Sequence, residues 1–174
     1  MPPMKQSDAM REIRSARWKR PARLEFAELD GAKLTNEDLT GADLRDSKLN
    51  GAAMSGSVLA GAYLDHANLH DTDLSDAVLA YAKMSGAAMY STDLTGADLT
   101  RVDLRSAEMY KANLTRANLT NAQLEGTDLT DAILTYANLT GVTWDADTVW
   151  PKGFSPPSPL AKNRRRSSKR KSLR

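Results

Sequence analysis

The chain has no cysteine among its 174 residues. That excludes a disulfide framework and a thiolate metal site. There are two histidines, and aromatic side chains make up only 6% of the sequence, so a core built from rings is excluded too. No apolar run approaches the roughly 18 residues of a membrane-crossing helix, and the first residues carry no apolar signal core. Cytoplasmic residence is the expectation. A glycine-rich phosphate loop is also missing, and neither a cofactor nor a metal is expected.

In place of these features there is a period. In "TRANLTNAQLEGTDLTDAILTYANLTG" (115–141) a leucine returns at every fifth residue: Leu119, Leu124, Leu129, Leu134, Leu139. A helix repeats every 3.6 residues and a strand every 2, so neither explains a period of five. The frame holds from Leu24 to Trp144, which is 25 units. The key position is Leu in 20 units, Met in four and Trp in one. Two residues earlier the side chain is small: Ala in 17 units, Ser, Thr or Val in seven, with Glu37 the exception. The residue between is mostly polar, and the two after the Leu carry turn chemistry. Each unit reads as three extended residues and a two-residue bend. Alternation puts the small residue and the Leu on one side, and units that aim every Leu at one axis must wind into a coil.

The number of units per turn can be tested on the sequence. Stacked coils lie about 4.8 Å apart, and vertical neighbours should suit each other. A step of four units gives a hydroxyl column, Thr35, Ser55, Ser75, Thr95, Thr115, Thr135. It gives a charged column, Glu25, Arg45, Asp65, Ser85, Arg105, Glu125, Asp145, and it places Tyr90 on Tyr110 beside Met89 on Met109. A step of three mixes chemistries. The expectation is an all-β, four-sided solenoid of about six coils, roughly 29 Å long.

The units Ala112-Asn113-Leu114-Thr115-Arg116 and Ala137-Asn138-Leu139-Thr140-Gly141, with Ala97-Asp98-Leu99-Thr100 after Gly96, resemble the pentapeptide-repeat family, A-(D/N)-L-x-x. "WDADTVWPKGF" (144–154) resembles the closing segment of many bacterial members. The resemblance implies a right-handed quadrilateral β-helix. Some relatives of similar size, the quinolone-resistance type, mimic duplex DNA and bind type II topoisomerase. The resemblance therefore suggests modulation of DNA gyrase. Two departures count against it: Pro156, Pro157 and Pro159 interrupt the stretch where such relatives dimerise through a helix, and the loops some insert into the coil are missing.

Three segments follow from charge and composition. Residues 1–21 carry six basic and two acidic side chains; Ser7 as N-cap and Pro21 as stop suggest a capping helix with Met10, Ile13 and Ala16 on one face. Residues 22–154 form the repeat rod, with Trp144, Val149, Trp150 and Phe154 as a plug; over 22–150 there are nine basic and 20 acidic residues, net −11. Residues 155–174 are rich in Pro, Ser and basic residues and are expected to be disordered.

Chemistry is harder to place. A square coil filled with Leu and Ala has no cavity for convergent groups, so the chain is not expected to be an enzyme. His66 and His70 belong to different corners and read as solvated bend residues rather than metal ligands. The head of Glu37 should reach solvent or a base of the N-terminal segment. Two readings of function remain. In the first, the rod binds a protein, a type II topoisomerase being the sharper form, through Asp38, Asp43, Asp73, Asp93, Asp98 and Asp103. In the second, Arg164, Arg165, Arg166, Lys169, Arg170 and Lys171 bind nucleic acid through their charge or lie on the acidic rod. No membrane partner is expected, and the chain should be a monomer or an end-to-end homodimer.

Overall fold

The computed structural model describes residues 3–16 and 21–158. Every middle residue from Arg23 to Gln123 pairs in parallel with the residue 20 later, beginning at Arg23 with Asp43 and ending at Gln123 with Thr143. Four units therefore complete one coil, and the rod has four faces. The first carries residues 23, 43 and so on, the second 28 and 48, the third 33 and 53, the fourth 38 and 58. The hydroxyl, charged and tyrosine columns are vertical neighbours as the sequence test requires.

The interior is solid hydrocarbon. Every Leu and Met of the key position from Leu24 to Leu129 is at most 1% exposed. The small residues stand between them. At three of the units where that position holds a hydroxyl it turns inward to a carbonyl: Thr72, Thr92 and Thr127 donate to the carbonyls of Leu49, Leu69 and Leu104 at 2.7–2.8 Å, whereas the buried Ser57 hydroxyl meets no partner among the described residues. Glu37 is half-buried, unlike its small equivalents from Ala42 to Thr127.

The polar residues of the motif have a physical reason in the backbone. A unit offers five N–H groups, and backbone carbonyls take four. In the unit around Leu44, Asp43 donates to Ala22, Leu44 to Tyr63, Asp46 to Asp65 and Ser47 to Leu44. The fifth N–H, on the residue after the Leu, has no carbonyl to meet. Where the residue two positions earlier is Asp or Asn, its side chain meets it: Thr40 donates to Asp38 Oδ1 at 3.0 Å, Thr95 to Asp93 at 2.9 Å and Thr120 to Asn118 at 3.2 Å. The Thr hydroxyl adds a second bond to the same oxygen, 2.6 Å in the unit of Asp98. A-(D/N)-L-T is thus a donor-satisfying unit.

The second bend residue is held at positive φ in every unit from Phe26 to Gly141. Glycine adopts this freely, whereas other residues pay roughly 1–2 kcal/mol. Fifteen non-glycine residues occupy the position, including Phe26, Tyr81 and Tyr136.

The ends differ from the expectation. The helix α1 spans Gln6–Ala16, so Ser7 lies inside it; the Lys5 carbonyl instead accepts from the N–H groups of Asp8 and Ala9. Its inward face is Ala9 and Ile13, both fully buried, with Met10 partly buried beside them. The Glu28 N–H donates to the Met4 carbonyl at 2.8 Å, which extends the first coil toward the N-terminus.

At the far end the repeat does not stop at Trp144. One residue is inserted in Asp145-Ala146-Asp147, and the pairing resumes with Asp128 to Val149, 21 apart. Thr148 takes the small inward position and donates to the Leu124 carbonyl at 2.8 Å. Val149 is therefore an outward middle residue, 47% exposed, and not part of the plug. Trp150 takes the key position. It meets Trp144 edge-on at 5.8 Å and stacks on Phe154 at 5.4 Å. The Trp144 indole donates to the Pro157 carbonyl at 3.0 Å, so residues after 154 still touch the rod.

The bulge depends on one carboxylate. Asp145 Oδ1 accepts from Gly126 N–H at 3.0 Å and from Asp147 N–H at 3.1 Å, and at 3.2 Å it shares the single Thr148 hydroxyl proton with the Leu124 carbonyl. It replaces the carbonyl that a regular coil would offer Gly126. These donors, that of Gly126 first, hold the Asp145 carboxyl below the usual carboxylate range. Asp43 and Asp103 are lowered in the same direction, chiefly by hydrogen bonds from Arg45 and Arg105. A carboxyl lowered in the folded state stabilises the fold above its unfolded value, about 3.9. That contribution is lost as the pH falls through the folded value. Urea unfolding should therefore be flat from pH 7 to about 5 and weaken below about 4. In a Trp18→Phe background, where only Trp144 and Trp150 emit, Asp145→Ala should loosen the Trp144–Trp150 end first, read as a tryptophan emission change that precedes the loss of circular dichroism.

Candidate interaction surface

With the core closed, only the outer skin is available for binding. The six aspartates expected to bind a partner are not one patch. Asp38 and Asp98 lie on the fourth face, Asp43 and Asp103 on the first, each pair three coils apart; Asp73 and Asp93 are vertical neighbours on the third. All six accept the N–H two residues ahead, so each has a structural duty. Asp43 and Asp103 are further engaged by Arg45 at 2.6 Å and Arg105 at 2.5 Å, and Arg45 also pairs with Glu25. The first-face carboxylates are thus neutralised locally. Arg164, Arg165, Arg166, Lys169, Arg170 and Lys171 lie outside the described residues.

The remaining charge is sided. In the third and fourth coils, positions 70–80 and 90–100 cover the third and fourth faces with the bends beside them. They hold Asp71, Asp73, Asp76, Asp93 and Asp98 and no lysine or arginine. The side around the first face differs: Tyr63, Tyr81, Lys83, Arg101 and Arg105 gather there. Lys83 Nζ stands 5.2 Å from the centre of the Tyr63 ring, and the Arg101 guanidinium 5.5 Å from that of Tyr81. These pairs are 20 apart, so their residue types at that step signal them as plainly as Tyr90 and Tyr110 signal theirs. Those two stack at 5.2 Å, His70 extends the ladder at 5.6 Å, and Lys111 covers both tyrosine rings.

His66 and His70 do not converge. The His66 ring lies where a Cβ on Gly86 would stand, and His70 packs on Tyr90. No group of three or more potential metal ligands occurs among the described residues. No helix among them is long and apolar enough to cross a membrane.

These observations define a class, a β-helical repeat rod with a filled interior and a sided surface. A family model for pentapeptide repeats matches residues 22–60, 57–96, 89–121 and 107–143, and the chain belongs to the pentapeptide-repeat family, whose members form right-handed β-helices. Among solved structures it is similar to the pentapeptide repeat protein Rfr23 from the cyanobacterium Cyanothece 51142, with 40% identity and a TM-score of 0.53. That match covers 53% of this chain and 63% of Rfr23, so it spans less than two thirds of the relative's length. The chain is also similar to trypsin-treated QnrB1, a plasmid-mediated fluoroquinolone resistance protein, with 16% identity and a TM-score of 0.55 over 71% of this chain and 67% of that one. At that identity the likeness is one of fold. No curated protein matches the chain.

Proposed function

We propose that the chain is a non-catalytic interaction rod of the cytoplasm whose acidic side binds the DNA-holding surface of a type II topoisomerase. The observation that carries this reading is the set Asp71, Asp73, Asp76, Asp93 and Asp98 on two successive coils, in stretches 70–80 and 90–100 that contribute no lysine or arginine of their own. A rigid rod with a negative side presents to a basic groove what duplex DNA presents, a slender surface of fixed charges. Rigidity matters because little ordering entropy is then lost on binding. The likeness of fold to a fluoroquinolone resistance protein supports the reading without identifying the partner.

The test uses the Asx geometry. Asn113 occupies the same column as Asp73 and Asp93 and accepts the same turn bond at 3.1 Å. Asp73→Asn, Asp93→Asn and Asp98→Asn together should therefore keep the fold and remove three charges. In a gyrase supercoiling assay the natural chain should alter the reaction, and the triple variant should need about tenfold more protein for the same effect. No effect of the natural chain on supercoiling, or an undiminished effect of the variant, defeats the proposal. An effect that vanishes only when residues 159–174 are removed would instead assign it to the basic run.

A further inference from the structure

The opposite side of the rod has a different chemistry. Around the first face, Tyr63 and Lys83 are vertical neighbours, and Tyr81 stands above Gly61 and below Arg101 at the adjoining bend. Arg101 Nη1 donates to the Tyr81 hydroxyl at 3.2 Å, so ring and guanidinium are held as one unit. Tyr63 is 40% and Tyr81 57% exposed. Nothing lies within 4 Å of where a Cβ on Gly61 would stand, so the floor beside Tyr63 and under Tyr81 is open. Among the described residues neither Lys83 nor Arg101 has a carboxylate within 4 Å, although Lys83 is near enough to its ladder neighbour Asp103 to help lower that carboxyl.

Two features argue that this group is a contact surface. Tyr81 has φ +63°, a conformation bulky side chains avoid, where nine of the 24 equivalent bends use glycine. The bend demands this φ in every unit, so the fold accounts for the backbone but not for the choice of a large ring, which faces solvent and does not serve the core. Tyrosine and arginine also dominate binding hot spots, since each offers broad contact for few frozen rotors.

We infer that Tyr63, Tyr81, Lys83 and Arg101 form a docking site for an acidic segment of a protein partner. The two cations, held over ring faces with no carboxylate at contact distance, would take carboxylates, while the rings pack against the stems of those side chains. A nucleic acid fits less well: its continuous chain of phosphates needs a basic stripe, and here Asp43 below and Asp103 above on the same face confine the cations to a spot that takes one or two carboxylates of a short acidic segment. The inference does not depend on the topoisomerase reading, since it uses the other side of the rod.

The test is nuclear magnetic resonance of the isotope-labelled full chain titrated with a deca-glutamate peptide, with deca-glutamine and a ten-nucleotide oligo-dT as comparisons. Amide shifts at 61–65, 81–85 and 101–105 should move and saturate with deca-glutamate only. Lys83→Ala with Arg101→Ala should weaken binding there about tenfold, and Lys33→Ala with Lys48→Ala should not. Tyr81→Gly relieves the strained φ, so its melting temperature should hold or rise while binding weakens; loss of affinity then cannot be loss of fold. The inference is overturned if those amides do not respond, if oligo-dT moves them equally, or if Tyr81→Gly binds like the natural chain.

Discussion

Leu99→Ala is expected to cost about 2–5 kcal/mol of unfolding free energy, measured by urea denaturation. Leu99 is fully buried in the fourth coil, with Leu79 below it and Leu119 above, both also fully buried. Part of the cost is the lost transfer of the side chain out of water. The rest is the cavity, because the hydrogen-bonded coils on either side cannot move together to close it. A domain is stable by only about 5–15 kcal/mol in all, so one truncation removes a large share. In a repeat rod each coil is coupled mainly to its neighbours. The substitution should therefore weaken both interfaces of the fourth coil and broaden the transition. With Trp18 replaced by Phe, tryptophan emission samples only Trp144 and Trp150 at the far end and should separate from circular dichroism, which samples the whole rod. A loss below about 1 kcal/mol, with a sharp single transition, would mean that the interior is not a closed hydrocarbon column.

Deleting Thr100 alone should abolish the folded state, whereas deleting residues 81–100 together should leave a shorter rod with the same circular dichroism shape. The two deletions differ in frame. Removing 20 residues takes out one complete coil and returns every later residue to its column. Removing one shifts the pleat, so that Leu104, Met109 and Leu114 turn outward while Asp103, Glu108 and Asn113 turn in. Exposing even three such side chains forfeits about 5–9 kcal/mol, and burying unpaired carboxylates costs more. The rod tolerates one frame shift, at 144–148, because Asp145 replaces the missing carbonyl and Thr148 refills the inward site. Neither substitute exists beside Thr100. A cooperative melt of the single-residue deletion would refute the assignment of register.

Much of this was legible because the fold is a one-dimensional code. The period of five, the small residue before each Leu and the step of 20 follow from residue type alone, since each coil repeats the same hydrogen bonds. Identities at step 20 also predicted the hydroxyl column and the stack of Tyr90 on Tyr110. The C-terminal unit Thr148-Val149-Trp150 escaped notice because an insertion of one residue hides it from a strict frame. Ser7 read as a cap because capping preference is local, while the start of α1 is set by the docking of Ala9 and Ile13 on the first coil. The duty of Asp93 and Asp98 was hidden in plain view: Asp two residues before Thr is an Asx turn, but charge made it look like a binding group.

The sequence by itself determined the number of sides, the hydrocarbon axis and the sum of charges, because these depend only on what recurs every five and 20 residues. Tertiary structure alone decided which charges remain for a partner. Turn hydrogen bonds and arginine neighbours occupy some aspartates, and the four faces separate the rest into an acidic side and a tyrosine–cation side. That partition depends on distances in space, which a count along the chain does not contain.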